Sequence, residues 1–439
     1  MRKVGILQTI KQSAFLRHNA IFMVGSVVVG ALNYLYYPIL GRLMEPSAFG
    51  EIQVLVSLFL QFTIFLNVLS LITVTITVNY KNKADAHRMI FELEKLAAYT
   101  TVGLLALSII GGEFLRQQLR FDSMLPFVAL ALAMMTSVPL TFRSSFARGQ
   151  KRFGVASLSQ LIAAATKIVF SVGLVALGLG VTGAMLGIVV AQFVAFLYAA
   201  RWAARVGFAR PADTNYGTLP DLKLLLPELK YASTAFLGLL TITLFVSADI
   251  IIVKYFFDAH TAGLYAGIAT VARIIYFLAV PIAQVLMPSV KVGESPEKNA
   301  QALWKSLLLT ILASGSVLLV GVLWPEFIVR MLMGVDYITF SYLLAPLMTA
   351  IFVISVLNLI FMYYLALRKK TITLVGIIGI VATISLMLFA HDDLQTIVYN
   401  LLFGSIFTLI ATGIYVLVNL KRGTGNAKQD DFNRYTDIQ

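Results

Sequence analysis

Nearly all of the thirty-four lysines and arginines in this chain of 439 residues fall between apolar runs too long for a soluble fold, and they crowd into alternate gaps. Three ionisable residues, Lys167, Asp249 and Arg273, are stranded inside the runs instead. Bilayer hydrocarbon is about 30 Å thick, so a spanning helix needs roughly 20 apolar residues, and a charge near its centre is costly unless it faces protein, water or a partner. The pattern therefore dictates an all-α polytopic membrane protein with a polar interior.

Hydropathy places twelve spans, at 20–41, 52–78, 96–113, 124–142, 155–177, 181–200, 231–253, 262–289, 306–324, 341–366, 372–389 and 395–419. Twenty-seven Lys and Arg then lie on the side of the N-terminus, and five (Arg42, Arg116, Arg120, Lys254 and Arg330) lie on the other. By the positive-inside rule both termini are cytoplasmic, which requires an even number of spans, and the chain is expected in the cytoplasmic membrane. A hydrophobic fraction of 59%, only 13% charged residues and a mean hydropathy of +0.87 agree. The net charge of +13 does not indicate nucleic acid, because the basic residues are scattered through short loops and form no contiguous face.

Met1 to Asn19 is basic, lacks a small-residue cleavage pattern and precedes a run of spanning length, so no cleavable signal is expected. Ile6, Leu7, Ile10, Ala14 and Phe15 make one face of a short helix suited to lying on the cytoplasmic leaflet; the alternative is a frayed polar tail. Zero cysteines exclude disulfides, thiolate metal sites and cysteine nucleophiles. The stretch from Arg201 to Lys230, with Pro211, Asn215, Gly217 and Pro220, is the one loop long enough to be a linker. It divides the chain into a lobe at 1–210, a lobe at 211–420 and a tail at 421–439.

Each lobe has six spans, so the two share one membrane orientation and an internal repeat would be parallel, about an axis along the membrane normal. Gly-Arg-Leu-Met-Glu-Pro-Ser-Ala-Phe-Gly (Gly41 to Gly50) separates spans one and two, and Lys-Tyr-Phe-Phe-Asp-Ala-His-Thr-Ala-Gly (Lys254 to Gly263) separates spans seven and eight. A shift of 213 residues superposes Glu45 on Asp258 and Gly50 on Gly263. An acidic residue thus stands five before a glycine at corresponding places, and the two turns are expected to be equivalent.

These stretches, with Ala248 to Tyr265, Arg-Gly-Gln-Lys-Arg-Phe (Arg148 to Phe153) and Leu-Met-Pro-Ser-Val (Leu286 to Val290), resemble polysaccharide-export flippases of the multidrug/oligosaccharidyl-lipid/polysaccharide superfamily. The resemblance extends over essentially all twelve spans. It implies two pseudo-symmetric six-helix lobes around a central cleft, as in the multidrug and toxin extrusion transporters, and alternating access that moves an undecaprenyl-diphosphate-linked oligosaccharide between leaflets. Lipid II flippases of the superfamily usually have fourteen spans, which argues against that branch.

The stranded charges carry their own argument. Asp249 and Arg273 fall at similar depth on consecutive spans and are placed to form a buried pair, with a proton or cation coupling site as the alternative for Asp249. Lys167 lies near mid-membrane with no acid of its own lobe at that depth, so it is expected to face a water-filled cavity or an anionic ligand. A cleft with net positive charge suits a diphosphate head group. Arg42, Arg143 and Arg148 stand at span ends, where snorkelling is the common role; Arg143 is also a candidate for a cytoplasmic substrate portal.

Other features have plainer readings. Gly173, Gly178, Gly180, Gly183 and Gly187 fit a tight hairpin and close helix packing. No Gly-x-x-x-x-Gly-Lys-[Ser/Thr] run is present, so no nucleotide site is expected. Pro38, Pro139, Pro281 and Pro346 interrupt spans and are places for bends. Tyr34, Tyr36 and Tyr37 read equally as an outer aromatic belt or a sugar-stacking surface. His18, His87, His260 and His391 are assigned to loops and are too dispersed for a metal, and no cofactor is implied.

Three function classes follow. A lipid-linked oligosaccharide flippase, coupled to a proton or sodium gradient, accounts for the cationic interior and the repeat. A drug/cation antiporter of the multidrug and toxin extrusion type would be better served by buried acids than by Lys167 and Arg273. A membrane glycosyl polymerase or ligase would need a substantial outer loop with catalytic groups, and here only His391, Asp392 and Asp393 cluster, in what reads as a solvated hairpin. The chain is therefore expected to be a transporter of lipid-linked substrate amid membrane lipids, and not an enzyme.

Overall fold

The computed structural model describes residues 25, 28–80, 82–208, 222–290, 294–367, 369 and 371–423. The amphipathic N-terminal stretch, His18, the linker around Pro211 to Pro220 and the tail beyond 423 lie outside the described residues. Two faces of the molecule are named here by their loops, the charge-rich face that carries most Lys and Arg and the charge-poor face opposite.

The first half holds α1 (28–43), α2 (Pro46–Asn79), α3 (Lys83–Ile110), the short α4 (Gly112–Gln118), α5 (Leu125–Gly149), α6 (Phe153–Leu174) and α7 (Gly180–Arg205). The second holds α8 (Leu222–Phe256), α9 (Ala259–Ala272), α10 (Ile274–Ser289), α11 (Pro296–Leu323), the short α12 (Pro325–Leu332), α13 (Leu344–Ala366), α14 (Thr371–Phe389) and α15 (Leu394–Gly423). No strand occurs among the described residues. Among the described residues eight helical runs are long and apolar enough to cross a membrane, or nine when α9 and α10 are taken as one bent span. One of the eight, Phe153–Arg205, is two spans: α6 and α7 pack against each other through a π-helical turn at Val175–Leu179. Adding α1 and α3, which do not meet that criterion, gives twelve segments among the described residues, consistent with six spans in each half.

Local chemistry sets the ends of these helices. Glu45 precedes α2 in extended conformation (φ −60°, ψ 148°) with Pro46 in the first turn, where its missing N–H costs nothing. Asp258 precedes α9 with nearly the same backbone (φ −63°, ψ 160°), and its carboxylate accepts from the Thr261 amide at 3.0 Å. The two turns related by the 213-residue shift thus share their backbone conformation at equivalent helix starts on the charge-poor face, although only Asp258 caps its helix with its side chain and Glu45 does not. The α6–α7 hairpin needs left-handed backbone at Gly178 (φ 86°) and Gly180 (φ 50°), and at Gly187 a Cβ would strike Ser171, which holds the two helices close. Many hydroxyls inside the spans bond back to their own helix, as Ser57 to the Gln53 carbonyl at 2.7 Å and Thr73 to that of Leu69 at 2.8 Å, and so do not need water.

Pro281 lies within α10, and the eighth span bends instead at Arg273, by 41°. His87 is on α3 and His260 in the first turn of α9, not in loops. The halves meet along α1 and α2 from one side and α8, α9 and α10 from the other.

Candidate functional site

On the charge-poor face the halves are locked. The paired glycines of the repeat touch each other: a Cβ on Gly50 would stand 2.9 Å from Gly263 Cα, and one on Gly263 would strike the Pro46 carbonyl and come within 2.8 Å of Ser47 N. Residues related by a pseudo-twofold axis meet on it, and only glycine leaves room there. Around this point Arg42 donates to the carbonyls of Leu332 (3.1 Å), Arg330 (3.4 Å) and Met331 at the end of α12. Tyr337 donates to the Gly41 carbonyl at 3.4 Å, and Arg120 to that of Phe257 at 3.3 Å. Lys254, only 1% exposed, lies 4.0 Å from the Glu51 carboxylate across the interface and 5.4 Å from the Phe121 ring.

Below this seal lies a cavity of about 310 Å³ between the halves. Gln53, Ser57 and Asn67 of α2 line it from one half; Thr243 and Ser247 of α8 and Arg273 at the bend line it from the other. Tyr37, Tyr276 and Phe277 supply aromatic walls, and none of the described lining residues is acidic. Gln53 and Arg273 are 5% and 8% exposed, and each carries a buried donor, Nε2 and Nη1, without an acceptor.

Arg273 is fixed by its other nitrogens. Nη2 donates to Asp249 Oδ1 at 2.7 Å and Nε to the Val246 carbonyl at 2.7 Å, while Tyr265 donates to Asp249 Oδ2 at 2.8 Å. Asp249 is therefore engaged on both oxygens, is 1% exposed and does not line the cavity. Its bond to a guanidinium anchored on the eighth span leaves one buried nitrogen of a cavity-lining residue without an acceptor, a donor whose chemistry suits an oxyanion.

Lys167 stands apart from the cavity lining. Its ammonium donates to Asn33 Oδ1 at 2.7 Å and lies over the rings of Tyr36 (4.3 Å) and Tyr37 (5.9 Å), so α1 partners it with an amide and two π faces in place of an acid. Tyr37 lines the cavity, and Tyr34 and Tyr37 pack on Phe277 across the lobe interface. Tyr34 (7% exposed) and Tyr36 (1%) are interior residues and form no outer belt.

Arg143 lies toward the charge-rich face, away from the cavity lining. It pairs with Glu94 at 2.8 Å and sits over Phe91 and Phe208, at 5.4 and 5.0 Å. Arg148 donates to Ser70 Oγ at 2.6 Å and Ser145 Oγ at 3.1 Å, so it is a packing residue and does not snorkel. His87, between Phe146 and Phe208, titrates below its ordinary range because burial and then Lys83 disfavour its charged form. At 390–394, His391 stacks on Phe256 at 3.7 Å and Asp393 accepts from the Thr396 amide at 2.6 Å, which makes the cluster a helix cap.

A sequence profile of the polysaccharide biosynthesis protein family matches residues 15–294. No curated protein sequence matches the chain. Among solved structures, a multidrug resistance MATE family transporter of the MOP superfamily in its inward-facing conformation matches with a TM-score of 0.75 at 13% identity, over 93% of this chain and 100% of that one. The lipid II flippase MurJ in an inward closed conformation gives 0.72 at 13% identity, over 90% and 87%. An outward-facing conformation of a MATE family transporter gives 0.66 at 14% identity, over 92% and 95%. At such identities the likeness is one of fold. The chain belongs to the polysaccharide biosynthesis protein family.

Proposed function

We propose that this protein is a flippase that moves an undecaprenyl-diphosphate-linked oligosaccharide across the cytoplasmic membrane by alternating access of two lobes, 1–210 and 211–420, drawing on an ion gradient. Both termini and the tail at 421–439 are then cytoplasmic and the charge-poor face is external, as the loop charges direct. The observation that carries the reading is Arg273. Its guanidinium lines an inter-lobe cavity with no acidic lining residue, is held by Asp249 and the Val246 carbonyl, and keeps one buried nitrogen without an acceptor. Such a site favours a phosphate oxygen, and the amide and hydroxyl groups of Gln53, Ser57, Asn67, Thr243 and Ser247 suit sugar hydroxyls.

A drug/cation antiporter is less well served, because the buried acid of the second lobe, Asp249, is already neutralised by Arg273 and capped by Tyr265. A coupling proton or sodium ion would have to displace one of these to bind there. A polymerase or ligase finds no catalytic cluster in the cap at 390–394. In this reading Lys167 keeps positive potential beside Tyr37, and Arg143 supports the charge-rich entrance through Glu94.

The test is complementation of polymer export in a strain lacking the protein. Arg273→Gln should abolish export while the protein stays in the membrane, since a neutral amide offers no charge to a diphosphate; Asp249→Asn alone, which breaks the same buried pair but keeps the guanidinium, is the control for lost stability. Normal export by that variant would overturn the reading.

A further inference from the structure

Between the spans α11 and α13, α12 lies on the charge-poor face with three different sides. Val329 (0% exposed) and, just beyond its end, Met333 (1%) face the protein. Phe327 (64%) and Met331 (52%), four apart, face away from it together with Trp324 (56%) at the N-cap. Glu326 and Arg330, also four apart, are exposed on a third side. The outward apolar side continues the exposed surface of α11, where Leu308, Leu312, Leu319 and Leu323 are each more than half exposed. A helix that joins a spanning surface and carries an aromatic and aliphatic face beside a charged one has the build of a segment lying in the membrane interface.

Its inner side is part of the seal between the lobes. Met333 fills the space beside Gly41, which has no room for a Cβ there, and Tyr337 reaches the Gly41 carbonyl and packs edge-on against Phe49, which belongs to α2. Arg42 of the first lobe bonds the carbonyls of Arg330, Met331 and Leu332, the unsatisfied C-terminal end of α12, where a cation is favoured by the helix dipole. One short element thus touches the opposite lobe at the seal and turns an apolar face outward.

We propose that α12 is a lipid-anchored latch: Trp324, Phe327 and Met331 insert at the acyl–headgroup boundary of the leaflet on the charge-poor side, and this seating holds α12 where Arg42 and Gly41 engage it. Lipid contact therefore stabilises the state sealed on that face, whatever the cargo. The claim concerns the seal and does not depend on the identity of the substrate.

The test uses the full chain in phosphatidylethanolamine/phosphatidylglycerol vesicles. The protein has three tryptophans, so Trp202→Phe with Trp304→Phe leaves Trp324 as the single reporter. Lipids brominated near the top of the acyl chain should quench it strongly, and aqueous iodide weakly; iodide quenching without bromolipid quenching overturns the lipid contact. For the latch, the chain has no native cysteine, so spin labels at Gln118→Cys and His260→Cys report the seal. Phe327→Gln with Met331→Gln should lower the population with the short inter-label distance by about fivefold or more, the lower end of usual coupling between sites. Arg42→Leu should do the same while Trp324 stays quenched. An unchanged short-distance population in the Phe327/Met331 variant, with Trp324 quenched in the native chain, would overturn the latch.

Discussion

Replacing Gly263 by alanine isolates the seal between the lobes. Gly263 sits within α9 and its backbone is not left-handed, so alanine is tolerated by the helix and would favour it by roughly 1 kcal/mol over glycine. The cost is entirely across the interface. The new methyl would stand 2.8 Å from Ser47 N, where ordinary contact begins at 3.4 Å, so Ser47 alone must retreat by about 0.6 Å and the Pro46 carbonyl by more. These are backbone atoms at a proline-initiated helix start and have no rotamer by which to escape. Overpacking of this kind costs about 1–3 kcal/mol, which corresponds to a roughly fivefold to 150-fold loss of the sealed state. Labels at Gln118→Cys and His260→Cys, read by pulsed dipolar spectroscopy, should show the short distance depleted and a longer one appearing. Gly154→Ala is the control, since no atom lies within 4 Å of its Cβ, and it should leave the distribution unchanged. If Gly263→Ala keeps the native distribution, the glycine contact does not hold the lobes and the account of the seal is wrong.

Three further outcomes are expected. Asp249→Asn should cost about 3–5 kcal/mol of stability by thermal unfolding in detergent, because it strips a buried guanidinium of its counter-charge and leaves Tyr265 a poorer acceptor; Asp249→Arg with Arg273→Asp should be more abundant than either single change. Lys167→Ala should abolish polymer export with the protein still inserted, and normal export would remove Lys167 from the transport path. Asp258→Ala should cost about 1 kcal/mol as a lost cap. The Thr261 side chain and then its amide hold the Asp258 carboxyl below its usual range, so this contribution is present above the unfolded carboxylate pKa near 3.9 and fades as pH falls through the lower folded value; a wild-type-minus-variant stability difference that grows on acidification would contradict it.

Much of this was legible in the sequence because it rests on short-range rules. Run length gives the spans, and the 213-residue shift places Glu45 and Asp258 at equivalent helix starts. Asp249 and Arg273 could be paired because consecutive antiparallel spans put their depths in register. What escaped depends on contacts between lobes. Lys254 reads as an ordinary loop-end cation until α2 brings Glu51 to it, 203 residues away, and nothing local marks it as buried. Gln53 has no motif, and its importance lies in a missing acceptor. Tyr34 and Tyr36 have belt-like spacing, yet they face Phe277 and Lys167 because the first span lies at the lobe interface and not against lipid. Arg143 and Arg148 occupy snorkelling positions by sequence, but Glu94 and Ser70 on neighbouring helices capture them first.

The most direct measurement is leaflet translocation in vesicles that contain only the purified protein and a fluorescent undecaprenyl-diphosphate oligosaccharide, followed by loss of signal to a membrane-impermeant quencher. The account predicts that native protein speeds movement between leaflets far above protein-free vesicles, that Arg273→Gln falls to the protein-free rate, and that undecaprenyl carrying a neutral head in place of the diphosphate is not moved. Equal translocation by native protein and Arg273→Gln, or transport of the neutral lipid as fast as the diphosphate, would contradict it.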